Sequence, residues 1–264
     1  MLLEVEKGDY IWMRDDGIYY LGYVGDNLRC DYNSSNDAPE YEESNLRYKF
    51  DFSIDALEHD AANQIIGIEW KPIGDESEVP GAVATAFIRG RTIQRINKSY
   101  MFEYAEYAFW GNPMVLENSN EAYLQQLFYN CLSPSDCEDL VCLYLYDKAN
   151  YIAIPSTNKI ATELYECVLV NPSNGKLAYP QVKKGRDNLN INDYMELIKD
   201  NPNKEVYLFT TEGKLQGDIH INNIHGISPY ELYNWTEEKI KNNSFLIPEG
   251  IVKWYKLIHS SKNS

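Results

Sequence analysis

The chain predicts an α+β or α/β protein in two parts: a small β-barrel-like N-terminal domain, then an α/β core on a central mixed sheet. Three observations predict this. Residues 8–24 set two aromatic and β-branched runs on either side of Asp16-Gly17, a hairpin signature. Residues 164–183 repeat that pattern around Asn174-Gly175. From residue 131 onward, short apolar runs and capped helical segments follow in the order helix, strand, strand, strand, helix, strand.

Taken along the chain, residues 1–98 form the β-rich domain. After the first hairpin, residues 30–62 are polar and acidic, with Asn33-Ser34-Ser35-Asn36-Asp37, and read as an extended insertion. Residues 65–73 return to strand character, closed by Pro72 and Gly74. Residues 79–88 predict a short helix after Pro80, and residues 91–96 a strand with alternating faces. Residues 99–130 are aromatic, with four acids as their only charges, and predict a helical connector broken at Gly111-Asn112-Pro113.

Residues 131–264 form the second domain. Ser133-Pro134 supplies an N-cap and first-turn pair, with Asp136 in the first turn, for a helix over 133–147. A strand follows at 151–154, then the hairpin strands 164–170 and 177–183. Asn190 or Asn192 caps a helix over 192–199, which Asn201-Pro202 stops. Residues 205–210 have the apolar continuity of a buried parallel strand. The tail, 235–258, predicts a polar helix near 236–242 and an apolar, strand-like end.

Composition narrows the function classes. The chain has 264 residues, 44% hydrophobic and rich in Tyr (22 residues), enough for one large or two modest cores. No apolar run approaches the roughly 18 residues of a membrane span. The first residues lack a basic and then apolar leader pattern, and the five cysteines form no C-x-x-C pair, so a reducing cytoplasm fits best. Cys137 and Cys142 read as small hydrophobes of the opening helix. The net charge of −16 argues against loose, charge-driven binding to nucleic acid. Yet residues 131–264 carry 14 basic against 17 acidic side chains, while nine acids crowd between Asp31 and Asp60.

The second hairpin carries the chemistry. With Asn174 and Gly175 as the two central turn residues, Ser173 pairs with Lys176, and Glu166 lies directly opposite Lys183. Opposed residues hold their Cβ atoms about 5 Å apart, and Gln181 shares the face of Lys183. One face thus offers a carboxylate, an amide and an amine, among Leu164, Val168, Val170, Leu177 and Tyr179. Glu163 competes with Glu166. Glu138 on the opening helix is the next acid; Asp139 points about 100° away, so only one of them faces the hairpin. The plainer alternative is a cross-strand surface ion pair worth roughly 0–1 kcal/mol. Pro180 removes a ladder donor and predicts a bulge or an edge.

This ordered set resembles the PD-(D/E)xK, restriction-endonuclease-like nucleases, and within them the Mrr-like branch in which Gln replaces the second acid to give Q-x-K. The resemblance covers about residues 132–211. It begins with Leu132-Ser133-Pro134-Ser135-Asp136-Cys137-Glu138-Asp139-Leu140-Val141 as the opening helix and Tyr151-Ile152-Ala153-Ile154-Pro155 as the first strand. Glu166 stands where the family usually has Asp, and Gln181-Val182-Lys183 stands at Q-x-K. It implies a metal-dependent DNA endonuclease of a restriction or phage-defence system. Glu166, Gln181 and Lys183 would be catalytic, and Mg²⁺, with Mn²⁺ able to replace it, would be held by Glu166, Gln181 and Glu138. Lys183 would act as base or as fixed charge. DNA would be contacted by Lys184, Arg186, Arg91 and Arg95. Other implied partners are a second copy of the chain and further defence proteins. Residues 79–96 resemble small N-terminal domains attached to such nucleases.

Two rival functions remain at this point: a catalytically inactive nuclease fold that binds nucleic acid or scaffolds a complex, and a nucleotide-sensing first domain that controls the second. Weaker features are His220 and His225 as metal ligands. Trp12, Tyr19, Tyr20, Tyr23 and Trp70 read as an aromatic pocket or as core. Arg89, Arg91, Arg95 and Lys98 read as a phosphate-contacting edge or as a solvated strand face.

Overall fold

Asp16 and Gly17 both adopt positive φ, 44° and 82°, the combination a type I′ turn needs to match the twist of its strands. They join β1 (Tyr10–Asp15) to β2 (Ile18–Tyr32), with Asp15 paired to Ile18 and Tyr10 to Tyr23. A third strand, β3 (Asn63–Gly74), pairs antiparallel with β2, and the register shifts between Val24 and Arg29. This computed structural model describes residues 5–32, 63–88, 94–98, 100–116, 120–159, 164–199, 201–217 and 221–260. The chain divides into two units, Met1–Leu116 and Glu117–Asn263.

In the first unit the predicted barrel is, among the described residues, an open three-stranded sheet in the order β1-β2-β3. Three strands are too few to close around a filled interior. Helix α1 (Gly81–Ile88) follows Pro80, whose carbonyl accepts from Val83 and Ala84. Helix α2 (Met101–Trp110) covers one face of the sheet. Its Ala105 and Phe109 pack on Leu21, with Tyr10, Trp12 and Tyr23 around them. Trp12 and Tyr23 thus pack, partly buried, against this cluster, while Tyr19 and Tyr20 are buried. The predicted strand at 91–96 is not seen: residues 94–98 are irregular and 91–93 lie outside the described residues. Of the predicted insertion, residues 30–32 belong to β2 and 33–62 lie outside the described residues.

The predicted connector is two helices divided between the units. Gly111, at φ 77°, ends α2 by donating its N–H to the Tyr107 carbonyl. Asn120 caps α3 (Glu121–Cys131), its side chain accepting from the Tyr123 N–H at 2.8 Å.

In the second unit α3 is followed by α4 (Pro134–Ala149), started by a capping box. The Ser133 hydroxyl accepts from the Asp136 N–H at 3.1 Å, and the Asp136 carboxylate accepts from the Ser133 N–H at 2.7 Å. Then come β4 (Ile152–Ala153), β5 (Leu169–Val170) and β6 (Leu177–Lys183). Next is β7 (Leu189–Asn190), followed by a 3₁₀ turn at Ile191–Tyr194 and the single turn α5 (Met195–Ile198), where one helix was predicted. Asn190 caps that 3₁₀ turn through its side chain. Strands β8 (Lys204–Thr210), β9 (Leu215–Gln216) and β10 (Ile224–Ile227) follow. Helices α6 (Pro229–Lys241) and α7 (Glu249–Ser260) end the chain.

Five of these strands make a mixed sheet in the order β10-β8-β6-β5-β4, with β8 parallel to both its neighbours and β5 antiparallel to both of its own, while β7 and β9 pair parallel in a separate two-stranded sheet. Alternation along β6 assigns its two faces. Tyr179 meets Val206, Leu208, Ile191 and Tyr194 on the α5 side. On the other side Phe209, register partner of Val182, packs its ring 5.7 Å from Tyr129 of α3. The strand-like tail is instead α7, because Ile251, Trp254, Tyr255 and Ile258 recur at helical spacing and are buried. No helix among the described residues is long and apolar enough to cross a membrane.

Candidate metal and phosphate site

The hairpin that carries the candidate residues turns differently from its sequence reading. The Asn171 N–H donates to the Lys176 carbonyl and the Gly175 N–H to the Asn171 carbonyl, both at 2.9 Å, so the loop holds four residues, 172–175. Only Gly175 takes positive φ, at 72°, whereas a type I′ turn needs two such residues. Asn171 and Asn174 instead accept from the N–H groups of Ser173 and Lys176, each two residues on, at 2.9 Å. Leu169 therefore pairs with Ala178 and Val170 with Leu177, two residues out of the predicted register.

Lys183 is consequently not opposite Glu166. A two-residue displacement leaves the residues of the regular ladder on their predicted faces, since only an odd slip inverts a strand. Pro180 then ends the ladder. β6 lies inside the sheet, but Pro180 has no N–H for the β5 side, and regular pairing stops at Leu169–Ala178. The Glu166 N–H donates to the Pro180 carbonyl at 2.9 Å. Unbroken pairing would have brought Cys167 there, so one extra residue is accommodated as a bulge.

The result joins Glu166 to Gln181. Gln181 Nε2 donates to Glu166 Oε1 at 2.8 Å, and the Val182 N–H reaches the same oxygen at 3.5 Å. Gln181 is 1% exposed, and its own Oε1 makes no hydrogen bond. A buried carbonyl oxygen without a partner is destabilising by about 1–3 kcal/mol. Glu138, half-buried on α4, completes the group. Its carboxyl is pushed up to about 7, first by burial, then by the negative charges of Glu166 and Asp139, with Lys183 pulling the other way. Asp139 is exposed. Lys183 is half-buried, and its ammonium makes no ion pair among the described residues.

Tyr194 was not legible as a neighbour, because it reaches Glu166 only through the tertiary fold. Burial raises its phenol to about 12, and the charges of Asp193 and Glu166 add to the effect. Among the described residues no three His, Cys, Asp or Glu side chains form a metal-holding group. The donor set is two carboxylates and an amide oxygen, all hard oxygens. That is the chemistry Mg²⁺ prefers when few protein ligands leave room for water and phosphate. The partnerless Gln181 oxygen fits such a cation.

The basic candidates fall apart in space. Lys184 turns inward, its ammonium donating to the Leu132 carbonyl and, at 3.4 Å, to that of Asn130, the end of α3. Its charge serves a helix terminus. Arg186 is exposed and pairs at 3.3 Å with Glu212. Arg95 is exposed in the irregular segment of the first unit, and Arg91 and Arg89 lie outside the described residues. Glu163 and His220 also lie outside them; His225 stacks 4.8 Å from the Tyr207 ring. Comparisons of the chain with protein-family models, with characterised proteins and with solved structures found no match.

Proposed function

We propose that the second unit is a divalent-metal-dependent DNA endonuclease of the PD-(D/E)xK kind, in its Q-x-K form, serving restriction or phage defence. The observation that carries this reading is the Glu166–Gln181 pair: a carboxylate held by a buried amide whose remaining oxygen has no partner. The order of α4, β4, β5, β6, α5 and β8, with only the two-residue β7 and a 3₁₀ turn between β6 and α5, supports it. So does Glu138, a second carboxyl close enough for Glu166 to raise its proton affinity.

In this reading Glu166, Glu138 and Gln181 Oε1 hold Mg²⁺ or Mn²⁺. When bound, that ion supplies Lewis-acid stabilisation to charge building on the phosphate oxygens. Gln181 fixes the Glu166 carboxylate through its Nε2. Lys183, two residues further on the same face, presents its ammonium to the scissile phosphate. Val182, between them, points to the opposite face and anchors the strand. Cutting both strands with one site per chain calls for a second copy. The first unit serves recognition or partner binding.

A second reading, a nuclease fold that binds without cutting, is favoured by the −16 charge and by the inward turn of Lys184. Incubating the purified protein with plasmid and Mg²⁺ separates the two. We expect cleavage that falls about a hundredfold or more in Lys183→Ala and in Glu166→Ala. Cleavage unchanged in both variants would end the nuclease reading, and Mn²⁺-dependent DNA binding without cleavage would establish the second.

A further inference from the structure

Cys142, which read as a packing residue in the sequence, meets Cys167 in space. Cys142 Sγ of α4 lies 3.7 Å from Cys167 Sγ, and both thiols are free. Cys131 and Cys137 are 1% and 0% exposed, whereas Cys142 is only partly buried and gives a small oxidant access to the pair. A disulfide needs its sulfurs at about 2.05 Å, so a closure of about 1.7 Å separates the observed contact from a bond. The regular β5–β6 ladder ends at Leu169–Ala178, two residues short of Cys167.

We propose that Cys142 and Cys167 are a thiol-oxidation site that closes as a reversible disulfide. With hydrogen peroxide as oxidant, one sulfur attacks a peroxide oxygen to give a sulfenic acid and one water. The second sulfur then displaces the sulfenic hydroxyl as another water. Two S–H bonds break and one S–S bond forms; the two thiols lose two electrons and two protons, and one peroxide becomes two waters. A small dithiol reverses it by thiol–disulfide exchange.

The position of the pair gives the bond a consequence. Cys142 is one helical turn beyond Glu138 on the same face of α4, and Cys167 follows Glu166 directly. The disulfide would tie together the two segments that carry the two carboxylates. Glu166 and Cys167 are successive residues at the bulge, so drawing Cys167 toward α4 displaces Glu166 from its hydrogen bond with Gln181. Oxidation therefore weakens the cation site; this consequence rests on the proposed function, while the disulfide itself does not.

The test treats the full-length protein with hydrogen peroxide, maps cysteines by non-reducing peptide mass spectrometry, and titrates Mn²⁺ by calorimetry before and after. The expected result is a Cys142–Cys167 cross-link, absent in Cys142→Ser and Cys167→Ser, reversed by dithiothreitol, with Mn²⁺ affinity at least tenfold lower when oxidised. Cys131→Ala should form the same cross-link. Sulfinic or sulfonic acids without a cross-link, or a cross-link through Cys131 or Cys137, would overturn the proposal. Equal Mn²⁺ affinity in both states would overturn the coupling. A reduced protein that binds no Mn²⁺ would overturn the proposed function and leave the mapped disulfide standing.

Discussion

Two buried glutamates of the second unit respond to pH in opposite directions, because their neighbours differ. Burial alone would push the Glu205 carboxyl up. The Lys176 ammonium at 2.6 Å and the hydroxyls of Tyr151 at 2.6 Å and Tyr207 at 2.9 Å more than offset that, and hold it below its usual value. Its folded value lies below the unfolded one, so its stabilisation is present above pH 4.5 and is lost as pH falls through the folded value. Glu138 has the reverse sign. Raised from 4.5 to about 7, it favours the fold below pH 4.5 and loses that contribution as pH rises through about 7. Thermal unfolding in chelator should therefore show Glu205→Gln less stable than the parent at neutral pH, with the gap closing in acid. Glu138→Gln should gain on the parent between pH 5 and pH 8. A constant offset for Glu138→Gln from pH 5 to pH 8, or for Glu205→Gln as pH falls below 4.5, would show that ionisation is not the cause.

At the scale of elements, the legible parts were those whose signals are local. The Ser133 cap stands three residues before Asp136, with Pro134 next to it, so the start of α4 could be read directly. We expect Ser133→Ala to lower stability by about 1 kcal/mol in urea unfolding, and Ser133→Asp to keep most of it. A loss within 0.3 kcal/mol of zero would mean the cap is replaced by solvent at an end that frays. The second hairpin shows where locality fails. Asn174-Gly175 is a turn signal, but Asn171 and Asn174 close a longer loop through their own side chains, and a sequence does not show which pairing prevails. Within β6 the faces of Gln181 and Lys183 survived this error because the ladder is displaced by an even number, whereas at Glu166 the bulge adds one residue more, and Glu166 reaches Gln181 from opposite Pro180. Pro180 was readable as a break, since a missing N–H is a covalent fact, yet what fills the break is set by the bulge at Glu166. α7 was misread although its spacing was present: a run of Ile, Val, Trp and Tyr has strand propensity, and here the 3.6-residue period outweighed it. Tyr194 and the Cys142–Cys167 contact join segments distant in sequence, and no local pattern encodes them.

For the whole molecule the decisive quantity is how little positive charge is free to meet DNA. The chain carries −16, and several of the second unit's cations are already engaged. Lys176 is paired with Glu205 at 2.6 Å, Lys239 with Asp147 at 2.8 Å and Lys241 with Glu237 at 3.0 Å, while Lys184 caps a helix. Near the candidate site this leaves Lys183 and, loosely held by Glu212, Arg186. Each phosphate neutralised by a side chain contributes about −0.9 to the slope of log affinity against log salt. Two such contacts imply about a tenfold loss of affinity between 50 and 200 mM salt. Repulsion between an acidic protein and DNA is screened by the same salt and makes the loss smaller still. On the proposed reading, a divalent cation held by Glu138 and Glu166 would supply the missing positive charge, so chelation should remove such binding more completely than salt does. Fluorescence anisotropy of a short labelled duplex, titrated at several salt concentrations with Mn²⁺ or with EDTA, measures both effects. A shallow slope with Mn²⁺ and no binding in EDTA is the expected outcome. A loss of 10³-fold or more over that salt range would reveal six or more phosphate contacts, a basic groove that Lys183 and Arg186 alone do not supply, and DNA recognition would then belong elsewhere on the chain.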